Sequence, residues 1–172
     1  KYQLAITYKH DECWNGVTPL YQGEKISRFL NKLNNKEPAT ILFYGDSITA
    51  GCNASGTEYG GNISPYMDDF GVLVTKALEK RYNTKINHVN TAVPGTNSPW
   101  GVEHILDRVN VYNPDLVFIG FGMNDGNTPA EDHIKFIQKK EIIICIINSK
   151  IELKFYSKEQ IYAQQKMVRQ IH

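Results

Sequence analysis

Ile41-Leu42-Phe43-Tyr44-Gly45-Asp46-Ser47-Ile48-Thr49-Ala50-Gly51 is the stretch on which the reading of this chain turns. A short apolar run that stops at Gly-Asp-Ser reads as a buried strand ending in a tight turn. The turn puts the Ser47 hydroxyl at the carboxyl end of a strand. In open α/β sheets, ligand crevices lie outside the carboxyl ends of the strands. Ser47 is therefore the candidate nucleophile. Taken alone, Gly45-Asp46-Ser47 is also an ordinary turn, since all three residue types form turns readily.

Two later segments repeat the pattern. Asn90-Thr91-Ala92-Val93-Pro94-Gly95-Thr96-Asn97-Ser98 follows the strand-like run from Ile86, and Gly120-Phe121-Gly122-Met123-Asn124-Asp125-Gly126 follows Leu116-Val117-Phe118-Ile119. Each is an apolar run ending in a Gly-rich turn with small polar residues. In this order and spacing, from about Ile41 to Gly126, the chain resembles the SGNH (GDSL) hydrolase family. Gly45-Asp46-Ser47-Ile48-Thr49 is similar to the first block of that family, Pro94-Gly95-Thr96 to the second, and Gly122-Met123-Asn124-Asp125 to the third. The opening run from Ile6 to Gly16 also looks like the lead-in of some bacterial members. One such motif is weak evidence and three in order are strong.

The resemblance implies a serine esterase acting on small O-acyl esters, carbohydrate acetyl esters among them, with no cofactor. It assigns Ser47 as nucleophile. It assigns the oxyanion donors as the Ser47 N–H, the Gly95 N–H and the Asn124 side-chain amide. These residue types suit the work. A glycine N–H approaches substrate with no Cβ in the way, and an amide donates without carrying charge. Asp46 and Trp100 are the substrate-side candidates. Asp46 flanks the nucleophile, with hydrogen bonding of the turn as its plainer role. Trp100 lies just past Gly95, and it is preferred over Trp14, Tyr59 and Tyr66 as a pocket residue.

The base is harder to find. The family draws its histidine from an Asp-x-x-His segment near the C-terminus, and this chain has none; His172 is preceded three positions earlier by Arg169. A serine without a base is a weak nucleophile. Three explanations stand open. The chain, which starts at Lys1, is a piece that ends before the final strand and its His-bearing loop. Alternatively an existing histidine, His133 being the best placed, folds into the site. Or the chain is an inactive relative that binds ester or sugar without turnover. A lipase acting on long acyl chains is disfavoured by the polar loop from Gly51 to Asn62.

Composition narrows the field. The 172 residues carry a formal net charge of +1, which gives no support to a nucleic-acid or anionic-membrane partner. No apolar stretch is long enough to span a bilayer, and no signal-peptide pattern opens the chain; the compartment and the oligomeric state stay open. Cys13, Cys52 and Cys145 are odd in number and widely spaced, which argues against a disulfide framework and against a zinc site. Asp125, Asp132 and His133 match no metal-ligand spacing, and solvated acids are their default reading. Gly120 to Gly126 is one residue too long for a dinucleotide fingerprint, and the first block lacks a P-loop ending.

Strand-like and helical segments alternate. Helices are expected over 24–36 with Ile26, Phe29, Leu30 and Leu33 inward, over 66–82 with Phe70, Leu73, Val74, Ala77 and Leu78 inward, and over 101–112 with Val102, Ile105, Leu106 and Val109 inward. A strand is expected at 2–8. The alternation argues for a parallel sheet covered on both faces, a three-layer α/β/α sandwich. The resemblance implies the same flavodoxin-like fold, here without its last element. Residues 1–37 are expected to be a lead-in of strand, loop and helix, and 38–172 the α/β domain. Beyond 130 the pattern divides. Helix at 131–140 with a strand at 142–147 competes with one long helix followed by a strand at 151–156, and 158–172 reads as an amphipathic helix.

Overall fold

The computed structural model describes residues 23–126 continuously, together with residues 6–9, 11, 16, 21, 129, 131, 132, 135, 136 and 138. Most of the expected strand at 2–8, most of the elements expected beyond 130, and the candidate base His133 lie outside the described residues.

Three parallel strands carry the described part. They are β1 (Ala39–Gly45), β2 (Ile86–Asn90) and β3 (Leu116–Gly120), in the order β2-β1-β3. Ile41 pairs with His88 on one side and Leu116 on the other, and Gly45 faces Gly120 at the carboxyl edge. The chain leaves β1 toward β2 and then crosses back to β3. That reversal makes the carboxyl edge between β1 and β3 the switch point, where open α/β sheets form their crevice.

Both faces of β1 are buried. A strand sends alternate side chains to opposite faces. Ala39, Ile41 and Phe43 pack with Ile86 and with Phe29 and Leu33 of α1 (Ser27–Asn34), while α2 (Phe70–Tyr82) adds Phe70, Leu78 and Tyr82. On the other face, Leu42 and Tyr44 meet Ile105 and Val109, with Trp100 and Phe121 beside them. Those partners come from α3 (Ser98–Glu103), α4 (Ile105–Arg108) and the loops next to them. Helices on both faces of a parallel sheet make the expected α/β/α sandwich. Removing one such side chain from water contributes about 1.5–3 kcal/mol.

The α1 stripe falls as its spacing predicts, after a short 3-10 turn at Gly23–Ile26. The α2 stripe does not. Leu73 and Val74 are each 45% exposed and Ala77 is exposed as well, whereas Gly71 and Thr75 are buried. The cause lies on the sheet, where Phe43, His88 and Phe118 form an aromatic layer. Only small residues fit opposite those rings. A Cβ on Gly71 would come 3.1 Å from the His88 ring and 3.2 Å from that of Phe43. Thr75 fits because its hydroxyl donates to the Gly71 carbonyl and lies 3.3 Å from His88 Nδ1. The helix also starts at Phe70 rather than Tyr66, because the Asp69 carboxylate accepts the Val72 N–H and caps it there.

The helix expected over 101–112 is broken at His104 into α3 and α4, followed by a 3-10 turn at Asn110–Tyr112. Ile105 and Val109 point inward as expected, but Leu106 is exposed. At the amino edge, Asp115 gathers three elements. It accepts from the Thr40 N–H and from Lys32 Nζ, each at 2.8 Å. Among the described residues no helix is long and apolar enough to cross a membrane.

Candidate active site

Ser47 follows β1 by two residues, at the start of a tightly coiled run. The Cys52 N–H donates to the Ser47 carbonyl, and the Ala50 N–H to that of Asp46. Asp46 is buried and its Oδ1 accepts the Ile48 N–H at 3.0 Å. The Asp46 carboxylate is thus engaged within the turn, the plainer of the two roles expected for it. Ser47 itself is half-buried beside the exposed Ile48.

Hydrogen bonds fix this turn to the other two blocks. The Asp46 N–H and the Thr49 hydroxyl both donate to the Gly120 carbonyl, at 3.0 and 3.2 Å. The close approach depends on two glycines. A Cβ on Gly45 would lie 2.2 Å from the Gly120 carbonyl oxygen, and one on Gly120 2.5 Å from Thr49 Oγ1. On the other side, the Val93 N–H donates to the Gly45 carbonyl, and Asn90 Nδ2 donates to the Thr49 carbonyl at 2.8 Å.

Gly95 lies exposed in the turn after β2 with φ of +79°, and the space where a Cβ would stand is open. A left-handed backbone favours glycine there on conformational grounds alone. Asn124 is exposed and donates its Nδ2 to the Thr96 carbonyl at 2.8 Å. The fold thus brings the Asn124 amide against the turn that carries Gly95, and ties both to the edge that carries Ser47. An amide nitrogen has two N–H groups, so one bond to Thr96 leaves a second to donate.

Asp125 departs from its solvated reading. It is buried, and its two oxygens accept the Ser98 N–H and the Ser98 hydroxyl, each at 2.9 Å. Sequence reasoning missed Asp125, Ser98, Asn90 and Thr49 as the residues that lock the three loops. The signal available was small polar residues clustered after each strand. Among the described residues no group of three or more His, Cys, Asp or Glu could hold a metal.

Trp100 is partly buried and packs against the core. Its ring stacks on His104 at 4.3 Å, lies 6.3 Å from Tyr44 and has Arg108 over its face. Tyr44 donates its hydroxyl to the Gly101 carbonyl at 2.9 Å. Burial, reinforced by Asp107, pushes the Tyr44 phenol well above its ordinary range. Both described histidines are engaged with groups other than Ser47. His88 pairs with Ile41 in mid-strand, four residues and roughly 13 Å back from the carboxyl edge, and His104 Nδ1 bonds to the Trp100 carbonyl.

Ser47 opens onto a pocket of about 210 Å³ on the α2 side. Its walls are Ser47 and Ile48, the run 51–54, and Asp68, Asp69 and Phe70.

The GDSL-like Lipase/Acylhydrolase family matches residues 43–172 of this chain. Among solved structures, a two-domain esterase (CEX) active on acetylated mannans is similar, with a TM-score of 0.59 and 20% identity over 74% of this chain and 32% of that one. A second structure of that esterase, crystallised with mannopentaose, gives a TM-score of 0.57 at the same identity and coverage. A mutant of the esterase AlinE4 gives 0.53 and 19% identity, over 67% of this chain and 56% of that one. At these identities the likeness shows the fold. The chain spans about a third of the length of the two-domain esterase. No curated protein matches it.

Proposed function

The chain belongs to the GDSL-like lipase/acylhydrolase family, and from that premise we propose that it is an ester hydrolase that takes the acyl group of a small O-acyl ester onto Ser47. The observation that carries the reading is the convergence of three loops on one sheet edge, with Asn124 bonded to Thr96 beside Gly95 and the Ser47 turn bonded to Gly120.

Ser47 Oγ attacks the ester carbonyl as its proton passes to a base. The carbonyl oxygen becomes an oxyanion, which accepts from the Ser47 N–H, the Gly95 N–H and the Asn124 amide. Collapse expels the alcohol, which leaves with the proton from the base. Water then attacks the acyl-serine by the same route and releases the acid. No step needs a cofactor. The base in this reading is a histidine. His88 and His104 are held elsewhere, and His133 lies outside the described residues. The overlaid esterase active on acetylated mannans supports an O-acetylated carbohydrate as the substrate class. Asp46 and Trp100 act in this reading through the turn and the core behind it.

A second reading is favoured by one observation, the engagement of both described histidines away from Ser47. In it the same crevice binds ester or sugar without turning it over. Hydrolysis of p-nitrophenyl acetate separates the two. The hydrolase reading expects turnover that Ser47→Ala abolishes, and a rate unchanged by Ser47→Ala contradicts it.

A further inference from the structure

The loop between β1 and α2 has both of its feet in the wall of the Ser47 pocket. Gly51 to Ala54 form one foot, and Asp68 and Asp69 the other. Between them the chain is cross-linked to itself. The Gly56 N–H donates to the Met67 carbonyl and the Ile63 N–H to the Ser55 carbonyl, each at 2.8 Å. The Met67 N–H donates to the buried Ser55 hydroxyl, and the Thr57 hydroxyl bonds the Gly51 and Ala54 carbonyls. These bonds tie the two ends of the loop to each other.

The loop turns large side chains outward. Tyr59 is 55% exposed and Tyr66 62% exposed, with Ile63 and Met67 also exposed beside them. Tyr66 sits at φ of +58°, a costly conformation for a bulky residue that persists only where the surroundings enforce it. The internal bonding therefore holds an aromatic ring out into solvent two residues before Asp68, which lines the pocket of the nucleophile. At the feet, Asn53 and Asp68 add an amide and a carboxylate to the pocket wall, and the Asp68 Oδ2 accepts from Lys76 Nζ, which leaves its Oδ1 for a further donor.

We propose that this loop is a glycan clamp, with Asn53 and Asp68 taking sugar hydroxyls beside Ser47 and the rings of Tyr59 and Tyr66 taking the apolar faces of neighbouring sugar units. The choice of ligand rests on the ester-hydrolase reading, with the sugar as the alcohol side of the ester. The chemistry matches on both counts. A pyranose presents C–H groups on its faces and hydroxyls at its rim, which suits amphipathic rings next to fixed hydrogen-bonding groups. A fatty acyl chain suits the site less, because it would cover the Asn53 amide and the Asp68 carboxylate and return no hydrogen bond.

The test is migration of the full chain in native gels that contain acetylated glucomannan or acetylated xylan. Wild type is expected to be retarded by at least one polysaccharide. Tyr59→Ala combined with Tyr66→Ala is expected to weaken retardation at least fivefold, while Tyr66→Phe, which keeps ring and backbone, retains it. Circular dichroism establishes that each variant is folded. No retardation of wild type by either polysaccharide, or retardation unchanged in the double variant, overturns the clamp. Retardation without any p-nitrophenyl acetate hydrolysis overturns the hydrolase reading and leaves the clamp standing.

Discussion

Asp125 holds Ser98 by two bonds, one from the Ser98 N–H and one from its hydroxyl, both 2.9 Å long and both buried. The pair joins the loop after β3 to the first turn of α3, and so sets the spacing between the segments that carry Asn124 and Gly95. Asp125→Ala removes the two charge-assisted bonds to the buried Ser98. The expected loss is about 2–4 kcal/mol of stability, read from the urea unfolding midpoint. Asp132→Ala, at a half-exposed carboxylate paired with Lys135, serves as the control and is expected to cost under about 1 kcal/mol.

Gly45→Ala meets backbone, which cannot rotate away. The new Cβ would stand 2.2 Å from the Gly120 carbonyl oxygen and 2.3 Å from Thr49 Oγ1. The strands must part where Ser47 is positioned. We expect a loss of about 1–3 kcal/mol, together with weakened reactivity at Ser47. Gly95→Ala, with open space at its Cβ, is expected to cost only the strain of its left-handed backbone, about 1 kcal/mol.

Tyr44 gives a pH-dependent prediction. Burial first, and then Asp107, raises the phenol above the value it has in the unfolded chain. The folded protein therefore holds this proton where the unfolded chain has lost it. The stability that depends on the neutral phenol is full below the unfolded value of about 10 and falls as pH rises above it. Between pH 9 and 11, wild type should lose stability more steeply than Tyr44→Phe. At pH 7 the phenylalanine variant should be weaker by about 1 kcal/mol through loss of the bond to Gly101. Parallel curves for the two proteins would contradict this.

Asn124→Ala separates catalysis from folding. Asn124 is exposed, and its described bond is the one to Thr96. Ester hydrolysis should fall about a hundred- to a thousand-fold, the usual cost of one oxyanion donor. The thermal midpoint should shift by only a few degrees. Equal losses in activity and in stability would place Asn124 among the structural residues instead.

The residues that set the layers were legible in the sequence because their spacing reports them directly. Phe29 and Leu33 lie one turn apart and both bury, and the run from Ile41 to Tyr44, stopped by Gly45, reads as a buried strand. Leu73 and Val74 misled because helical periodicity says which residues share a face and not what that face meets. Here it meets aromatic rings, so Gly71 and Thr75 go inward. Ser47, Gly95 and Asn124 were legible as residues that follow strands. The bonds that bring them together were not, because Asn90 to Thr49 and Asp125 to Ser98 link positions 41 and 27 residues apart. Trp100 suggested a pocket by its place beside Gly95, yet its ring is taken up by Tyr44, His104 and Arg108.

The central claim is that Ser47 is an activated nucleophile, and intact mass after exposure to an alkyl fluorophosphonate tests it most directly. Attack by Ser47 Oγ displaces fluoride from phosphorus and leaves one phosphonyl group on the chain. The account predicts a single adduct on the folded protein that is absent from Ser47→Ala. A folded chain that takes up no adduct, or an adduct that persists in Ser47→Ala, would contradict it.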